Sequence, residues 1–489
     1  MILWALAAVP VAGAILCLLI RRRTAVFACL IAGSALEATI AAAAGAVVYR
    51  RGAIDACFGH LALDALSAFH LCLVTGIFLF SSIYARDYFN HEPAAQSLDD
   101  RQARRFGALW FSFLGSMAGV LLFSNVGLMW VAMESTTLAS AFLICTHSDR
   151  LSIEAAWKYL IICSAGLVLG LLGTVFIHGA SPSPGAAGEG ALRWPDLVAR
   201  AGGMNPALVK IGFVLMVVGY GTKMGLAPMH TWLPDAHSQA PTPVSAVFSG
   251  VLLNCASYCI CRFLPIVSAA TGTPEWGRRI LVGFGLASMA VAGVFILIQR
   301  DVKRLLAYHS VEHMGIITVG LGFGPAGCVA ALYHTLNHSV CKSLAFFCAG
   351  RVGQRYGTRN MESISGSAAA CPVWGTGLFA SLLVLIGCAP GAIFMSEFLI
   401  VRAGISGGHF AASAVFLAAV AVVFCGALKH AIDMASGDPP ARLEAPRPET
   451  SGARALAASM TAWLILTGVW IPAGLSAVFE RAARLIAGP

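Results

Sequence analysis

The sequence predicts an all-α polytopic membrane protein with about 14 transmembrane helices. Three observations predict it. The chain is 58% hydrophobic and only 11% charged, whereas a soluble protein carries roughly 25% charged residues. Mean hydropathy over its 489 residues is +0.79. The apolar residues gather into runs of about 20, the length that crosses a bilayer.

Taken in order, the runs fall near 3–20, 25–48, 61–84, 106–124, 126–146, 154–178, 207–229, 242–264, 277–299, 303–324, 326–350, 374–402, 409–434 and 456–480. The first is followed, not preceded, by Arg21, Arg22 and Arg23. That order is the reverse of a signal peptide's, so the run is expected to remain as a span. The triplet holds the end of span 1 in the cytoplasm, and Lys and Arg concentrate in the loops after odd-numbered spans. A multi-pass protein of the cell (inner) membrane is expected, with both termini outside the cytoplasm. The same loop bias accounts for the net charge of +9 without invoking nucleic acid. Three loops are longer than the rest. Residues 91–105 are expected in the cytoplasm and the Gly/Pro/Ala-rich 181–205 outside. Residues 433–454 read as a flexible cytoplasmic linker.

Residues 219–245 read GYGTKMGLAPMHTWLPDAHSQAPTPVS. Lys223 stands in the middle of an apolar run, and a charge at bilayer depth marks function by default. Pro228 removes a helix hydrogen bond just beyond it. A helix interrupted in lipid is tolerated only where it packs on protein or lines a wet cavity. The stretch points to ion transport.

The same pattern recurs five spans later. Spans 5 and 10 carry Glu134 and Glu312; spans 6 and 11 carry Lys158 and Lys342. Span 7 has Lys223 beside GLAP, and span 12 has Glu397 beyond GCAP, with Pro228 and Pro390 as the breaks. Five is odd, so the second copy enters from the opposite side. Two inverted five-helix repeats, spans 4–8 and 9–13, are predicted, with broken helices 7 and 12. Paired Pro-broken segments in inverted halves are the best sequence pointer to a transport site. The expected divisions are 1–105 for the first three spans and their loop, 106–264 and 277–434 for the repeats, and 435–489 for the linker and last span.

His309, His313, His334 and His338 crowd spans 10 and 11. Histidine is the natural proton shuttle near neutral pH. His334 and His338 share a helix face with Lys342. Their spacing would suit a metal, but that helix has no carboxylate, and a relay is expected instead. Most of the fifteen cysteines lie inside apolar runs. Cys255, Cys259 and Cys261 are the tightest group, and no Cys-x-x-Cys pair occurs. Core packing is expected rather than an iron–sulfur or zinc site. No dinucleotide fingerprint or phosphate loop is present either. Neither a cofactor nor a catalytic residue is expected in this chain. Gly166, Gly170 and Gly173 read as a close helix contact.

Three strings carry a resemblance: TKMGLAPMHTWLPDAHSQAPTPVS at 222–245, QRDVKRLLAYHSVEHMGII at 299–317 and HSVCKSLAFFCAG at 338–350. They resemble the antiporter-like membrane subunits of complex I and their relatives in cation/proton antiporters and membrane-bound hydrogenases. Within that family the chain looks most like the hydrogenase-4 type F subunit. The resemblance implies a proton-translocating subunit of a redox-driven complex. Its partners would be other antiporter-like membrane subunits and a peripheral hydrogenase or quinone-reductase module, which would hold the iron–sulfur clusters and any nickel–iron site. The rival is a component of a Na⁺/H⁺ antiporter without redox coupling.

The resemblance also implies roles. Glu134 and Lys223 would form a switchable ion pair, worth about 3 kcal/mol at ~5 Å and an effective dielectric of ~20. Lys158, His309, Glu312, His313, His334, His338 and Lys342 would continue the proton path to Glu397, the exit group. Asp235 and His237 would organise the broken helix and its water access. Asn254 stands where several family members have lysine. It can orient water but cannot carry a proton.

Overall fold

A computed structural model describes residues 1–92, 97–181, 192–441, 443 and 449–487. The helices follow the runs. α1 (Ile2–Leu19), α2 (Arg23–Arg51), α3 (Ala65–Asn90), α4 (Asp100–Leu122), α5 (Val126–Ile144) and α6 (Arg150–Gly179) are spans 1 to 6. The short α7 (Trp194–Arg200) precedes span 7, which is α8 (Pro206–Met224) with α9 (Trp232–Gln239) beyond a break. Span 8 is α10 (Thr242–Val247) and α11 (Leu253–Thr271), joined through a π-helical turn at Phe248–Leu252. Spans 9 to 11 are α12 (Glu275–Leu297), α13 (Val302–Gly322) and α14 (Gly324–Tyr356). After the single turn α15 (Ser367–Ala370), span 12 is split into α16 (Pro372–Leu385) and α17 (Ala392–Ser406). α18 (Phe410–Ala435), α19 (Ser451–Val469) and α20 (Ala473–Ala487) complete the chain.

Among the described residues, 11 helical segments are long and apolar enough to cross a membrane. The other expected spans are α13, α14 and the α16–α17 pair. α13 and α14 carry the buried histidines, Glu312 and Lys342, which lower their hydropathy. The break leaves α16 and α17 at 14 and 15 residues. The protein is a polytopic helical membrane protein.

The two repeats share a packing order. α4 lies on α5, α5 on α6 and α6 on α8; α12 lies on α13, α13 on α14 and α14 on α16. Both breaks contain a cis peptide before proline, Ala227–Pro228 and Ala389–Pro390. In each, the loosened backbone finds partners, as hydrocarbon demands. The Ala227 amide donates to Ser288 Oγ at 2.9 Å, and Trp232 Nε1 donates to the Thr222 carbonyl at 2.8 Å. The Cys388 amide donates to the Leu383 carbonyl at 3.0 Å. α8 stops at Met224, four residues before Pro228, because Gly225 takes a left-handed cap at φ 83°.

Three expectations are corrected. The run 456–480 is two helices: α19 ends at Val469, Pro472 stops the ladder, and α20 is amphipathic with Phe479, Ala482, Ala483 and Ile486 buried. A small antiparallel hairpin, β1 (Ile54–Ala56) with β2 (Leu61–Leu63), links α2 to α3. The start of the 433–454 segment is tied down rather than flexible. α18 runs to Ala435, the Gly366 amide donates to the Ser436 carbonyl at 2.7 Å, and Ser365 Oγ donates to the Asp438 carbonyl at 3.0 Å. Residues 93–96, 182–191, 442 and 444–448 of the three long loops lie outside the described residues. Cys255, Cys259 and Cys261 are buried in α11.

Glycines set how close α6 and α8 come. A Cβ on Gly219 would sit 2.4 Å from the Gly170 nitrogen, and one on Gly173 would sit 2.6 Å from the Gly212 oxygen. Backbone cannot yield as a side chain can. Gly219→Leu is expected to force α8 off α6 at a cost of about 3 kcal/mol or more. Thermal unfolding in detergent checks this; an unchanged midpoint would refute the close crossing.

Candidate functional site

The α6–α8 crossing places Lys223 one residue before the helix end, with none of its surface exposed. Its ammonium donates to Thr137 Oγ1 of α5 at 2.9 Å and to the Tyr159 hydroxyl of α6. Tyr159 in turn shares a 2.6 Å hydrogen bond with Ser140 Oγ. The ammonium also stands 4.5 Å from the Tyr159 ring centre. Glu134 does not touch it. Ser164 Oγ donates to Glu134 Oε1 at 2.6 Å, and Oε2 has no hydrogen-bond partner among the described residues. The expected ion pair is therefore parted here, with hydroxyls on the lysine in place of the carboxylate.

Lys158 is not brought to this site. It is 48% exposed near the start of α6, with Glu154 at 2.7 Å and Asp235 at 3.2 Å. Being next to Tyr159 in the chain, it points about 100° away around the helix. Asp235 also takes Arg304 of α13 at 2.6 Å, so it ties α9 to α6 and α13. Lys303 adds a 2.6 Å hydrogen bond to the Ala240 carbonyl, just past α9. These contacts fix the segment beyond the break at Pro228.

The second repeat holds a buried row of histidines. His309 Nδ1 lies 3.0 Å from Glu312 Oε2. His313 Nδ1 lies 3.0 Å from His334 Nε2, and His334 Nδ1 lies 2.9 Å from Ser396 Oγ of α17. The His338 ring centre is 5.2 Å from that of His313, and neither of its nitrogens has a hydrogen-bond partner among the described residues. All four rings are fully buried. Lys342, one turn beyond His338, donates to the Leu306 carbonyl. Glu397 follows Ser396 on α17, beyond the break that holds Pro390. It is 7% exposed, and its Oε2 lies over Gly387, where an added Cβ would meet it at 2.5 Å.

Aromatic rings join the two halves. From Tyr159 the row runs to Phe248 at 5.8 Å, to His237 at 6.0 Å and to Phe346 at 5.0 Å, over which the Lys342 ammonium sits at 5.2 Å. His237 is fully buried, and both ring nitrogens lack a hydrogen-bond partner among the described residues. Asn254 reaches α14, donating to Ser339 Oγ at 2.8 Å and to the Gly250 carbonyl at 2.7 Å. His309, Glu312 and His313 bring ligand-type atoms within 4.8 Å of one another. Sequence reasoning missed Tyr159, Thr137, Ser140 and Ser396, since hydroxyls carry no signal in an apolar run. It also missed Glu37 of α2, a fully buried carboxyl with neither oxygen hydrogen-bonded among the described residues. The signal was available: a charge inside the run 25–48.

The chain is 36% identical over 433 residues to the hydrogenase-4 component F homolog of Methylacidiphilum infernorum (isolate V4), covering 87% of this chain and 88% of that one. It is 31% identical over 422 residues to the NADH-quinone oxidoreductase subunit N of Desulforudis audaxviator (strain MP104C), covering 84% and 80%. Its fold matches a chain of the membrane-bound sulfane sulfur reductase, an archaeal respiratory membrane complex, with TM-score 0.86 at 23% identity, covering 99% and 98%. Residues 124–424 match the family described as NADH:quinone oxidoreductase/Mrp antiporter, TM, and the chain belongs to that family.

Proposed function

We propose that the chain is a proton-translocating membrane subunit of a redox-driven complex, of the hydrogenase-4 type first and the NADH:quinone oxidoreductase type second. The observation that carries this reading is Lys223, a fully buried ammonium beside a helix break with only neutral oxygens in contact. Iron–sulfur clusters and a nickel–iron site would sit in partner subunits; electron transfer there would bring Glu134 and Lys223 together or part them. In the parted state the lysine is ready to release its proton. The path then runs past His237, which supplies an ionisable group where Asn254 has none, to Lys342 and the histidine row. Glu397 delivers the proton at the second break. The membrane would be the cell's inner one, with both termini outside the cytoplasm, and the divisions of the chain would fall at the repeat boundaries near 106, 264, 277 and 434.

A Na⁺/H⁺ antiporter component is the second reading, favoured by the family's own breadth. The buried row of lysines and histidines argues for H⁺, because cationic groups repel Na⁺ while carboxylates attract it. Purification in mild detergent with mass spectrometry separates the two. Co-purifying nickel–iron and iron–sulfur subunits support the redox pump; recovery with small membrane proteins alone supports the antiporter.

Lys158 gives a contrast. Its ion pairs with Glu154 and Asp235 are solvent-exposed and screened. Lys158→Ala is therefore expected to leave proton translocation within about twofold of wild type. Loss of pumping in that variant would put Lys158 back on the path.

A further inference from the structure

We propose that the cavity between α2, α3, α14, α19 and α20 binds one acidic phospholipid, with its phosphate on Arg481 and an acyl chain lying along α3. The cavity has a volume of 760 Å³. Its wall is apolar, from Ala42 and Gly76 to Phe80, Val340 and Trp463, and among the described residues Arg481 is the one charged side chain lining it. Arg481 lies 4.3 Å over the Tyr49 ring and donates to the Tyr49 carbonyl. It makes no ion pair with any carboxylate among the described residues. An unpaired guanidinium presents a fork that fits phosphate oxygens.

The depth of the cavity fits a lipid. Tyr49 lies in the last turn of α2, and Arg481 lies on the amphipathic α20, which follows the end of span α19. Both mark the membrane edge, where such a helix belongs. Along α3 the wall runs from Ala65 to Phe80, about 22 Å at 1.5 Å per residue. One leaflet of a bilayer, headgroups included, is about as thick. Arg50, Arg51 and Arg484 lie within a turn of Tyr49 or Arg481 in the sequence. They favour an acidic headgroup over a zwitterionic one.

Native mass spectrometry of the purified full-length protein, titrated with phosphatidylglycerol or phosphatidylcholine, tests this. Wild type is expected to hold one phosphatidylglycerol, bound about tenfold tighter than phosphatidylcholine, because the neighbouring arginines repel choline's ammonium. Arg481→Gln should weaken both lipids about tenfold, because both carry the phosphate that Arg481 holds. Gly76 lines the cavity, and a Cβ on it meets nothing within 4 Å, so Gly76→Leu starts its side chain in open space there. That variant should lose the bound lipid and any rise in melting temperature that phosphatidylglycerol confers on wild type. Equal binding of both lipids by wild type, retention of a quinone instead, or lipid binding unchanged in Gly76→Leu would overturn the proposal.

Discussion

Lys223→Ala is expected to abolish proton translocation while electron transfer in the assembled complex survives at least in part. The ammonium is fully buried and touches Thr137 and Tyr159, so alanine removes the ionisable group at the first break and leaves its neighbours in place. Removing a buried charge need not weaken the fold, because the charge has no contact partner of opposite sign to strand. Loss of function would then report on chemistry rather than on assembly. Fluorescence quenching of a pH dye in membrane vesicles, measured beside electron-donor oxidation, reads both quantities. Normal proton pumping in this variant would sink the mechanism.

His334→Asn is expected to lose pumping to the same extent. His334 is the residue that touches both His313 and Ser396, with one ring nitrogen on each, and Ser396 adjoins Glu397. Imidazole can accept a proton at one nitrogen and release it from the other. Asparagine fills much of the space and keeps a polar contact, but it cannot carry a proton. If His334 only packs the core, the variant will lower protein yield and leave the ratio of protons to electrons unchanged. If it carries protons, that ratio collapses while the complex still assembles. Ser396 Oγ keeps its bond to the Ile393 carbonyl at 2.8 Å, but leaving His313 Nδ1 unsatisfied costs about 1–3 kcal/mol, so assembly is to be checked by gel filtration in the same preparation.

Much of the fold was legible because lipid imposes a simple grammar. Runs near twenty residues became spans, and the charges recurring at five-span spacing marked two repeats whose breaks contain Pro228 and Pro390. What escaped was set by single residues. Gly225 stops α8 before the proline does, and Pro472 turns an apparent last span into α19 and a surface helix. The histidine row was visible as composition, but its connections depend on which faces α13, α14 and α17 turn together. Lys158 and Tyr159 show the limit most clearly. A charged residue drew attention, yet its neutral neighbour is the one on the inward face of α6. Glu134 was read as the partner of Lys223, whereas Ser164 holds it in this structure.

The most direct test of redox-driven proton translocation uses sealed inverted membrane vesicles containing the complex in sodium-free buffer. Electron donor is added while internal pH and electron turnover are followed together. The proposed function predicts proton uptake that begins with electron flow, stops with it, and needs no Na⁺. A pH change that is silent to the electron donor but driven by added Na⁺ would contradict it, and would make the chain part of an antiporter.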